Sequence, residues 1–395
     1  VKYMVQNSLG HQWMATYPGS SLKGQMEYYI EPAEQTPEVQ AQLAAITPKE
    51  LNPETITLMD PACGSGHILV EAYDLFKGIY QERGYRPRDI PRLILEKNLF
   101  GLDIDDRAAQ LAGFALLMKA RADDRRIMDN PIQLNVMSLQ SSQKVDADDI
   151  IGNLLLDERE ALVPHNEMFP ETARQPILSR HRNDASVKSA IRELIDLFKE
   201  AKTFGSLIQV PIGLAAALPR LEALVGQEDG KDLFKNKALE ALRPFVTQAL
   251  MLGRRYDCVV ANPPYMGSKG MNQVVKNFVK DRFPDSKSDL FACFIERGFE
   301  LATRNGFNSM VTMQSWMFLS SYEQFRERLL KDRAITCMVH MSNGVMGIAF
   351  GTAATIIRNY ASTGYSGSFS YVDYSDLNDS GVPREFPVQN ERHKT

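Results

Sequence analysis

The chain is poor in cysteine, and the few cysteines it has are far apart. There are four in 395 residues, and none forms a Cys-x-x-Cys pair. They are Cys63, Cys258, Cys293 and Cys337. Neither a metal site nor a disulfide framework is expected from this usage, which fits a reducing, cytoplasmic compartment. No apolar run reaches about 18 residues and no signal peptide is recognisable, so we expect no membrane partner.

The chain also lacks an excess of positive charge. Its formal net charge is −4 at pH 7, whereas a free-standing nucleic-acid-binding domain usually carries a clear basic excess. Contact with nucleic acid must then come from local basic patches or from residues outside this sequence. The first residue is Val1 and not methionine, so we expect a piece of a longer protein. The length allows two or three domains.

The strongest local pattern is a short apolar strand that runs into a rigid corner. Cys258 to Ala261 form the strand, and Asn262, Pro263, Pro264 and Tyr265 follow it. The residue before a proline favours extended geometry, so Asn262 should be presented outward, and two prolines remove two N–H donors. The Asn262 side-chain oxygen and the Pro263 carbonyl then lie beside an aromatic face. Such a site suits a planar substrate with an NH2 group; the alternative is a simple turn.

A second pattern joins a strand to a helix through a glycine-rich loop. Thr55 to Met59 are predicted as the strand, and a helix with apolar residues at helical spacing follows the loop and ends near Gly84. The loop residues are Asp60, Pro61, Ala62, Cys63, Gly64, Ser65 and Gly66. Such a unit opens doubly wound sheets, whose ligands lie beyond the carboxyl ends of the strands. Asp60 disfavours a phosphate ligand and favours a cation such as an ammonium group; an ordinary tight turn is the alternative.

The same unit is repeated further along the chain. Asn98 to Leu102 are predicted as a strand that ends at Asp103 and leads into a helix. Doubly wound folds hold ribose hydroxyls with an acidic residue at the end of the second strand, so Asp103 is a candidate for this contact. A helix cap is the alternative for Asp103, although Asp105 or Asp106 is the expected cap.

The rest of the chain is predicted to add a helical insertion and the second half of the sheet. Residues 141–254 are too long for a crossover and are expected to be largely helical. Further strands are predicted at Ile132 to Leu139, Ser309 to Met313, Ile335 to His340, Ala353 to Arg358 and Phe369 to Val372. A helix capped by Asp289 is expected to close at Asn305-Gly306, and Ser320 or Ser321 is expected to cap the next helix.

Two features outside the motifs are candidates for substrate contact. Lys269 begins a basic run in the loop after the corner, and contact with phosphate or a solvated surface are both open interpretations. The run continues with Lys276, Lys280, Arg282 and Lys287. Phe350 lies in a glycine-rich loop between the two strands that are expected to be neighbours near the end. For Phe350, core packing and ligand contact are both open.

The loop from Asp60 to Gly66, followed by the corner from Asn262 to Tyr265, resembles the motif pair of S-adenosylmethionine-dependent DNA adenine N6-methyltransferases of the γ order. Residues Thr16 to Leu22 and Tyr265 to Met271 further resemble the PglX family of BREX phage-defence methyltransferases. The similarity extends over roughly residues 10–360. It implies an α/β, Rossmann-like doubly wound methyltransferase sheet, mostly parallel, with one antiparallel strand near the end and a helical insertion.

The resemblance also implies a cofactor, partners and domain limits. The cofactor would be S-adenosyl-L-methionine, the substrate double-stranded DNA, and other defence-system subunits would be candidate partners. The expected segments are an N-terminal helical segment contributing to the cofactor pocket (1–50), the cofactor-binding half (51–140), the insertion (141–254), the catalytic half (255–360) and the start of a truncated C-terminal region (361–395).

Individual roles follow from the resemblance on the cofactor side. Asp60 and the loop through Gly66 would hold the methionine part of the cofactor, Asp103 its ribose hydroxyls, and Ile104 would pack on its adenine ring. Many relatives carry an aspartate after the third strand that contacts the cofactor's adenine amine. This chain has Met137-Ser138 there, so Asn135 or Ser138 would have to substitute.

On the substrate side, the resemblance implies that the target adenine is flipped out of the duplex. Asn262 and the Pro263 carbonyl would accept hydrogen bonds from its N6 amine, Tyr265 would stack on the base, and Phe350 would cover its other side or edge. The same corner would serve another planar NH2 group, in an RNA base or a protein glutamine. A non-catalytic cofactor-binding subunit is the third interpretation.

Overall fold

The computed structural model describes residues 1–154, 178–227 and 233–388. The chain divides into two compact units. The first comprises Val1–Ser138 with Arg255–Thr395, and the second comprises Leu139–Arg254.

A single sheet of eight strands organises the first unit. Its strands are β1 (Leu58–Asp60), β2 (Leu99–Asp103), β3 (Asn135–Ser138), β4 (Tyr256–Ala261), β5 (Ala302–Met313), β6 (Ala334–Met341), β7 (Thr352–Arg358) and β8 (Ser368–Val372). Their spatial order is β3-β2-β1-β4-β5-β7-β6-β8. Only β7 runs antiparallel to its neighbours, β5 and β6, among the described strands. The predicted doubly wound, mostly parallel sheet with one antiparallel strand near its end is confirmed.

Helices cover the sheet and make up the second unit. They are α1 (Lys2–Val5), α2 (His11–Thr16), α3 (Pro37–Ile46), α4 (His67–Glu82), α5 (Ile90–Leu93), α6 (Asp106–Asp123), α7 (Ala147–Leu154), α8 (Leu178–Leu197), α9 (Ala201–Phe204), α10 (Ile212–Val225), α11 (Leu233–Gly253), α12 (Gln273–Arg282), α13 (Leu290–Leu301), α14 (Ser315–Phe318) and α15 (Glu323–Asp332). Helices α7 to α11 belong to the second unit.

The centre of the sheet is the point where the chain order reverses. Strand β1 lies between β2 and β4, and Leu58 pairs with Cys258 in parallel register. The chain runs outward from β1 to β2 and β3 on one side, and from β4 to β5 on the other. Parallel strands end at the same edge, and ligands of doubly wound sheets lie at such a reversal. This edge is where the two sequence motifs begin.

Strand β1 is shorter than predicted, because the residues just before it form a 3-10 turn and side-chain hydrogen bonds. The prediction of a strand from Thr55 was wrong, since Pro53–Thr55 forms a 3-10 turn capped by Asn52. The Thr57 N–H and hydroxyl then both donate to Asp257 Oδ2, at 2.9 and 3.1 Å. The strand begins only after these contacts, at Leu58.

The Asn305-Gly306 pair lies inside β5 and does not close a helix. Helix α13 ends at Leu301, and the strand begins at Ala302. Asn305 has a φ of 75°, and a Cβ on Gly306 would lie 2.7 Å from the Asp257 carbonyl oxygen. The pairing with β4 jumps at this point, which is typical of a bulge. The predicted helix end was therefore wrong.

The core of the first unit combines residues from both parts of the sequence. Fully buried members include Leu9, Trp13, Phe76, Val260 and Ile356. Burial of each such large apolar side chain contributes about 1.5–3 kcal/mol. The N-terminal helices thereby pack into the same core as the sheet.

A buried asparagine fixes the N-terminal segment. The Asn7 amide donates to the carbonyls of Tyr3 and Tyr28, at 2.8 and 2.7 Å, and its oxygen accepts from the Ile30 N–H at 2.8 Å. Since a buried polar group without partners is costly, this full set of bonds keeps residues 3–30 in one arrangement.

The second unit packs α10 and α11 against α7 and α8. No single helix in the described ranges is both long and apolar enough to cross a bilayer. One bent pair, Ala201–Leu207 with Ile212–Val225, has the length and composition of a broken span, with a bend of 104°.

Candidate functional site

The glycine-rich loop leaves β1 at Asp60, whose side chain is buried. Asp60 Oδ1 accepts a hydrogen bond from the Ala62 N–H at 3.1 Å, which closes the first turn of the loop. Pro61 and Cys63 are also buried, and the Cys63 N–H donates to the Leu102 carbonyl at 2.9 Å. The start of the loop is therefore held against β2.

Two glycines give this loop its shape. Gly64 has a φ of +52°, and a Cβ built on it would meet no atom of the described chain within 4 Å. Gly66 has a φ of +84°, and a Cβ there would lie 2.9 Å from the Ala112 Cα in α6. The backbone at Gly64 is thus open to a ligand, whereas Gly66 allows the close packing of α4 on α6. Between them, the exposed Ser65 hydroxyl is hydrogen-bonded to His67 Nδ1 at 3.0 Å.

Asp103, at the end of β2, is tied to the same loop. Its Oδ2 accepts the Gly64 N–H at 2.8 Å, and its Oδ1 accepts the Asp105 N–H at 2.9 Å. The predicted cap at Asp105 is confirmed, because its side chain accepts two N–H groups from the first turn of α6, at 2.7 and 3.2 Å. Asp103 is therefore not the helix cap. Ile104, next to it, leaves its apolar side chain exposed.

The carboxyl group of Asp60 has an unusual proton affinity. Burial raises its pKa to about 8; the Ala62 hydrogen bond opposes this rise, and the nearby Asp103 carboxylate adds to it. Burial also raises the pKa of the Cys63 thiol, which is therefore not a reactive thiolate. A positive charge beside Asp60 would stabilise its ionised form.

The corner follows β4 on the neighbouring strand. Asn262 and Pro264 are exposed, Pro263 is buried, and Tyr265 is half-buried. The Tyr265 hydroxyl lies 3.3 Å from Asn262 Oδ1 and 3.2 Å from the Val311 carbonyl, and can donate to either oxygen. The contact with Val311 joins the corner to β5. Asn262 is thereby held at the carboxyl edge of the sheet with its oxygen oriented by a neighbouring donor.

The Tyr265 ring lies among aromatic side chains. Phe350 and Phe291 make edge-to-face contacts with it, at centroid distances of 5.7 and 6.1 Å. Burial raises the pKa of Tyr265 to about 12, so its hydroxyl remains a donor at neutral pH. Phe350 is only half-buried. The structure thus brings Phe350 to the corner, although the two are far apart in sequence.

Asp289 accepts a hydrogen bond from the residue that follows the corner, a contact that the sequence analysis did not predict. It caps α13 as predicted, by accepting the Phe291 N–H at 3.3 Å. The same Oδ1 accepts the Met266 N–H at 2.9 Å, one residue after the corner. The Ser268 N–H also donates to the Ser288 carbonyl at 3.0 Å. The loop after Tyr265 is therefore docked onto the start of α13.

Lys269 is exposed at the tip of this docked loop. The four other members of its basic run lie on α12 or just after it. They are Lys276, Lys280, Arg282 and Lys287. None of the five forms an ion pair with any residue that the structure describes. Their positive charge is available to a polyanion near the corner.

Asn135 and Ser138, the two candidates for contact with the cofactor's adenine amine, lie at opposite ends of the third strand. The Asn135 amide is engaged at the start of β3, where it donates to the carbonyls of Leu95 and Glu96. Ser138 lies at the end of β3, and its hydroxyl donates to Asp106 Oδ1 at 2.5 Å. Only the Ser138–Asp106 pair is therefore at the edge that carries the glycine-rich loop.

Both motifs follow adjacent parallel strands at one edge of the sheet. Met59 pairs with Val259, so Asp60 and Asn262 both lie just beyond that pair. Neighbouring strands are about 4.8 Å apart, and each residue advances about 3.3 Å. The two motifs therefore begin side by side at one edge of the sheet.

The chain is similar to known methyltransferases over most of its length. The model of the Eco57I restriction-modification methylase family matches residues 97–346. The adenine-specific methyltransferase BrxX of Escherichia coli O9:H4 (strain HS) is 53% identical over 374 residues, which cover 93% of this chain and 30% of that protein. The adenine-specific methyltransferase PglX of Lacticaseibacillus casei (strain Zhang) is 32% identical over 386 residues, covering 93% and 29%.

The chain thus spans less than a third of the length of these curated relatives. Among solved structures, the DrdV–DNA complex aligns with a TM-score of 0.46 and 11% identity, over 97% of this chain and 32% of that one; this likeness says nothing about function. The family match covers more than half of the chain and includes both Asp103 and the corner. The chain belongs to the Eco57I restriction-modification methylase family.

Proposed function

We propose that this chain is the catalytic part of a site-specific DNA adenine methyltransferase that acts in phage defence. It would methylate N6 of an adenine flipped out of double-stranded DNA, with S-adenosyl-L-methionine as the methyl donor. The observation that carries the proposal is the position of the two motifs after adjacent strands, β1 and β4, at the reversal of the sheet. Similarity to adenine-specific methyltransferases at 53% and 32% identity supports the choice of adenine.

The residues of the glycine-rich loop fit the cofactor. Asp60 is a buried acid whose raised pKa falls back when a positive charge such as the cofactor's amino group is nearby. Gly64 leaves the backbone open, and the exposed Ile104 offers an apolar surface to a flat ring. Asp103 retains acceptor capacity for ribose hydroxyls, since each of its oxygens accepts one backbone N–H. When bound, S-adenosyl-L-methionine supplies a methyl group on a sulfonium, which makes that group electrophilic.

The Ser138–Asp106 pair is the candidate for the cofactor's adenine amine. The Ser138 hydroxyl donates to Asp106 Oδ1, and the pair lies at the edge of the sheet that carries the glycine-rich loop. We infer that this pair takes the place of the aspartate that many relatives carry after the third strand.

The corner acts on the target amine through position and polarity. The Asn262 oxygen and the Pro263 carbonyl would each accept one of the two N6 hydrogens, which leaves the nitrogen lone pair directed at the methyl group. Neither residue titrates, and no strong base is required because the proton can leave after transfer. Tyr265 and Phe350 would hold the ring of the base in this orientation.

Basic residues and neighbouring segments complete the proposal. Lys269 and the run on α12 would contact phosphates of the duplex. Residues 51–140 and 255–360 would form the two halves of the catalytic domain, with 1–50 lining its cofactor side and 141–254 as an insertion. Other subunits of a defence system are candidate partners.

The proposal is tested by sequencing DNA for N6-methyladenine. The intact protein that carries this chain is expressed in a bacterial host without N6-methyladenine, beside an Asn262→Ala variant. We expect methylation within one sequence context for the wild type and none for the variant. Unmethylated host DNA, with radiolabel from S-adenosyl-L-methionine appearing instead in RNA or protein, would reject DNA as the substrate. A folded protein that binds no cofactor would favour the non-catalytic interpretation.

A further inference from the structure

Two large apolar side chains are exposed on the loop that follows β5. Phe318 is 64% exposed and Leu319, next to it, is 52% exposed. Strand β5 lies beside β4 in parallel, so this loop stands at the same edge of the sheet as the corner. Exposed neighbouring apolar side chains are costly to hydrate and mark surfaces that bind something.

Contacts connect this loop to the corner. The Gln314 N–H donates to the Gly351 carbonyl at 3.0 Å, and Phe350, the residue before Gly351, contacts the Tyr265 ring. Phe318 lies one helical turn beyond Gln314, at the end of α14. The residue that precedes α14 is therefore tied to the connection that carries Phe350, at the same edge of the sheet as the corner.

The loop is held rigidly in the shape that exposes these side chains. Trp316 is buried and packs edge-on against Phe325, with ring centroids 6.1 Å apart. The Arg326 guanidinium donates to the carbonyls of Trp316 and Leu319, at 2.8 and 2.7 Å. The loop is thus anchored at both ends of the exposed pair, so the exposure of Phe318 is a fixed feature of the fold.

This anchoring differs from what the sequence predicts. A cap by Ser320 or Ser321 was wrong, because Ser320–Tyr322 forms a 3-10 turn and α15 begins at Glu323 without a side-chain cap. Arg326 reaches back to the loop from within α15. The first turn of the helix therefore serves to hold the preceding loop.

His340 provides a platform under Phe318. The two rings lie 5.8 Å apart at an angle of 43°, and the Tyr371 ring packs edge-on against His340 at 5.0 Å. His340 Nε2 is hydrogen-bonded to Gln314 Oε1 at 2.6 Å. Burial lowers the pKa of His340, so this platform is uncharged at neutral pH.

Removal of an adenine from a duplex leaves a gap in the base stack. Apolar side chains inserted between base steps compensate for lost stacking and are a recurrent device of proteins that deform DNA. Extrusion of a base costs a few kcal/mol, and less when the base is already unpaired. We propose that Phe318 and Leu319 form an apolar wedge that enters the duplex beside the flipped adenine and fills this gap. This inference rests on the proposed function.

The shape of the patch favours DNA over a protein partner. Stable protein interfaces bury about 800 Å² on each side, which is far more than two side chains supply. Insertion between base steps instead requires only one or a few apolar side chains. The basic run that begins at Lys269, in the loop after the corner, would attract the flanking phosphates.

The wedge is tested by methylation of two matched duplexes in single-turnover reactions with the intact protein. Both duplexes are unmethylated and contain the sequence that the intact protein methylates. One is fully paired, and the other has an abasic site opposite the target adenine, which lowers the free-energy cost of flipping that adenine out. We expect a Phe318→Ala/Leu319→Ala variant to methylate the paired duplex roughly 10- to 100-fold more slowly than wild type. On the abasic duplex the rates should agree within about threefold, because little extrusion energy is then required.

Matched controls separate the wedge from a general loss of apolar surface. Phe114, in α6, is 62% exposed, and Leu330, in α15, is 64% exposed. A Phe114→Ala/Leu330→Ala variant removes the same side-chain types elsewhere and should methylate both duplexes at the wild-type rate. A 2-aminopurine at the target position should fluoresce less with the wedge variant than with this control.

Each other outcome counts against the wedge. A wedge variant with wild-type rates on the paired duplex overturns it, including when the variant loses a protein partner. An equal loss on both duplexes also overturns it, because the side chains then act after extrusion or by supporting the fold. If the wild type methylates neither duplex, the proposed function is rejected, and the wedge is rejected with it because it rests on that function.

Discussion

Asp103 Oδ2 accepts the backbone N–H of Gly64 at 2.8 Å, which joins the ends of β1 and β2 across the glycine-rich loop. The acid at the end of the second strand therefore shapes the loop, whereas Asp105 supplies the helix cap.

Replacement of Asp103 by alanine should weaken cofactor binding. The change removes the tether to Gly64 and the proposed ribose contact. A hydrogen bond to a charged group contributes about 1.5–3 kcal/mol, so the dissociation constant of S-adenosyl-L-methionine should rise about 10- to 100-fold. Asp105→Ala is the matched control, because loss of a cap costs about 0.5–2 kcal/mol of stability and should leave the affinity unchanged. Titration calorimetry and thermal unfolding distinguish the two, and equal affinities for both variants would contradict the assignment.

Replacement of Asn262 by alanine should abolish most of the chemistry and spare the cofactor. Removal of one preorganised polar contact typically costs about 10²–10³-fold in rate. Single-turnover methylation measures this loss, and calorimetry checks that S-adenosyl-L-methionine still binds with wild-type affinity. Tyr265→Phe keeps the ring and removes only the hydroxyl that contacts Asn262 Oδ1 and the Val311 carbonyl, so it should lose far less. An Asn262→Ala variant that methylates at the wild-type rate would refute the role of this side chain.

Cofactor affinity should rise with pH because of Asp60. Its pKa of about 8 keeps the free carboxyl group largely protonated at pH 6, and binding of a cationic amino group must expel that proton. The affinity should then increase by almost tenfold per pH unit between about pH 6 and 7.5, below the range where an α-amino group itself titrates. Asp60→Asn removes the proton and should flatten this dependence in calorimetry; a wild type with flat affinity would exclude the ammonium contact.

The same group should make the ligand-free fold less stable as pH rises. Because the pKa of Asp60 is raised above its unfolded value of 3.8, the folded state binds the extra proton between about pH 4 and 8. The contribution to the free energy of unfolding is greatest below this window, declines through it and levels off above about pH 8. Denaturant titrations of wild type and Asp60→Asn at several pH values measure the difference, which should grow in favour of the variant.

Alanine at the two loop glycines should affect different properties: stability of the fold at Gly66 and cofactor affinity at Gly64. Gly66→Ala places a Cβ 2.9 Å from the Ala112 backbone at a φ of +84°, so the folded state should lose about 1–3 kcal/mol. Gly64→Ala meets open space and should cost only about 1–2 kcal/mol from its φ. Its methyl group would stand where the cofactor approaches, so affinity should fall at least about tenfold. An unchanged affinity for Gly64→Ala would show that no ligand approaches this backbone.

Local patterns predicted the motifs and the sheet, because strand, glycine and proline signals act over a few residues. Asp60, Gly64 and Asn262 all lie where doubly wound geometry requires. The start of β1 and the end of α13 were missed, since Thr57 bonds to Asp257 and Asn305 forms a bulge, both through contacts distant in sequence.

The parts of the site that were not foreseen depend on tertiary packing. Asp289 is recognisable as a cap, yet its bond to Met266 exists only after α13 docks beside the corner. Likewise, no local signal indicates that Phe350 meets Tyr265, because the meeting depends on the antiparallel placement of β7.

The reversed strand has a consequence for how such enzymes diversify. Because β7 returns directly alongside β6, residues 342–351 form a hairpin connection, and Phe350 in this connection contacts the Tyr265 ring. Connecting loops at the surface tolerate insertions and deletions better than the strands they join. Under the proposed function, an insertion in this connection would change the contact with the acceptor base and leave the glycine-rich loop after β1 in place.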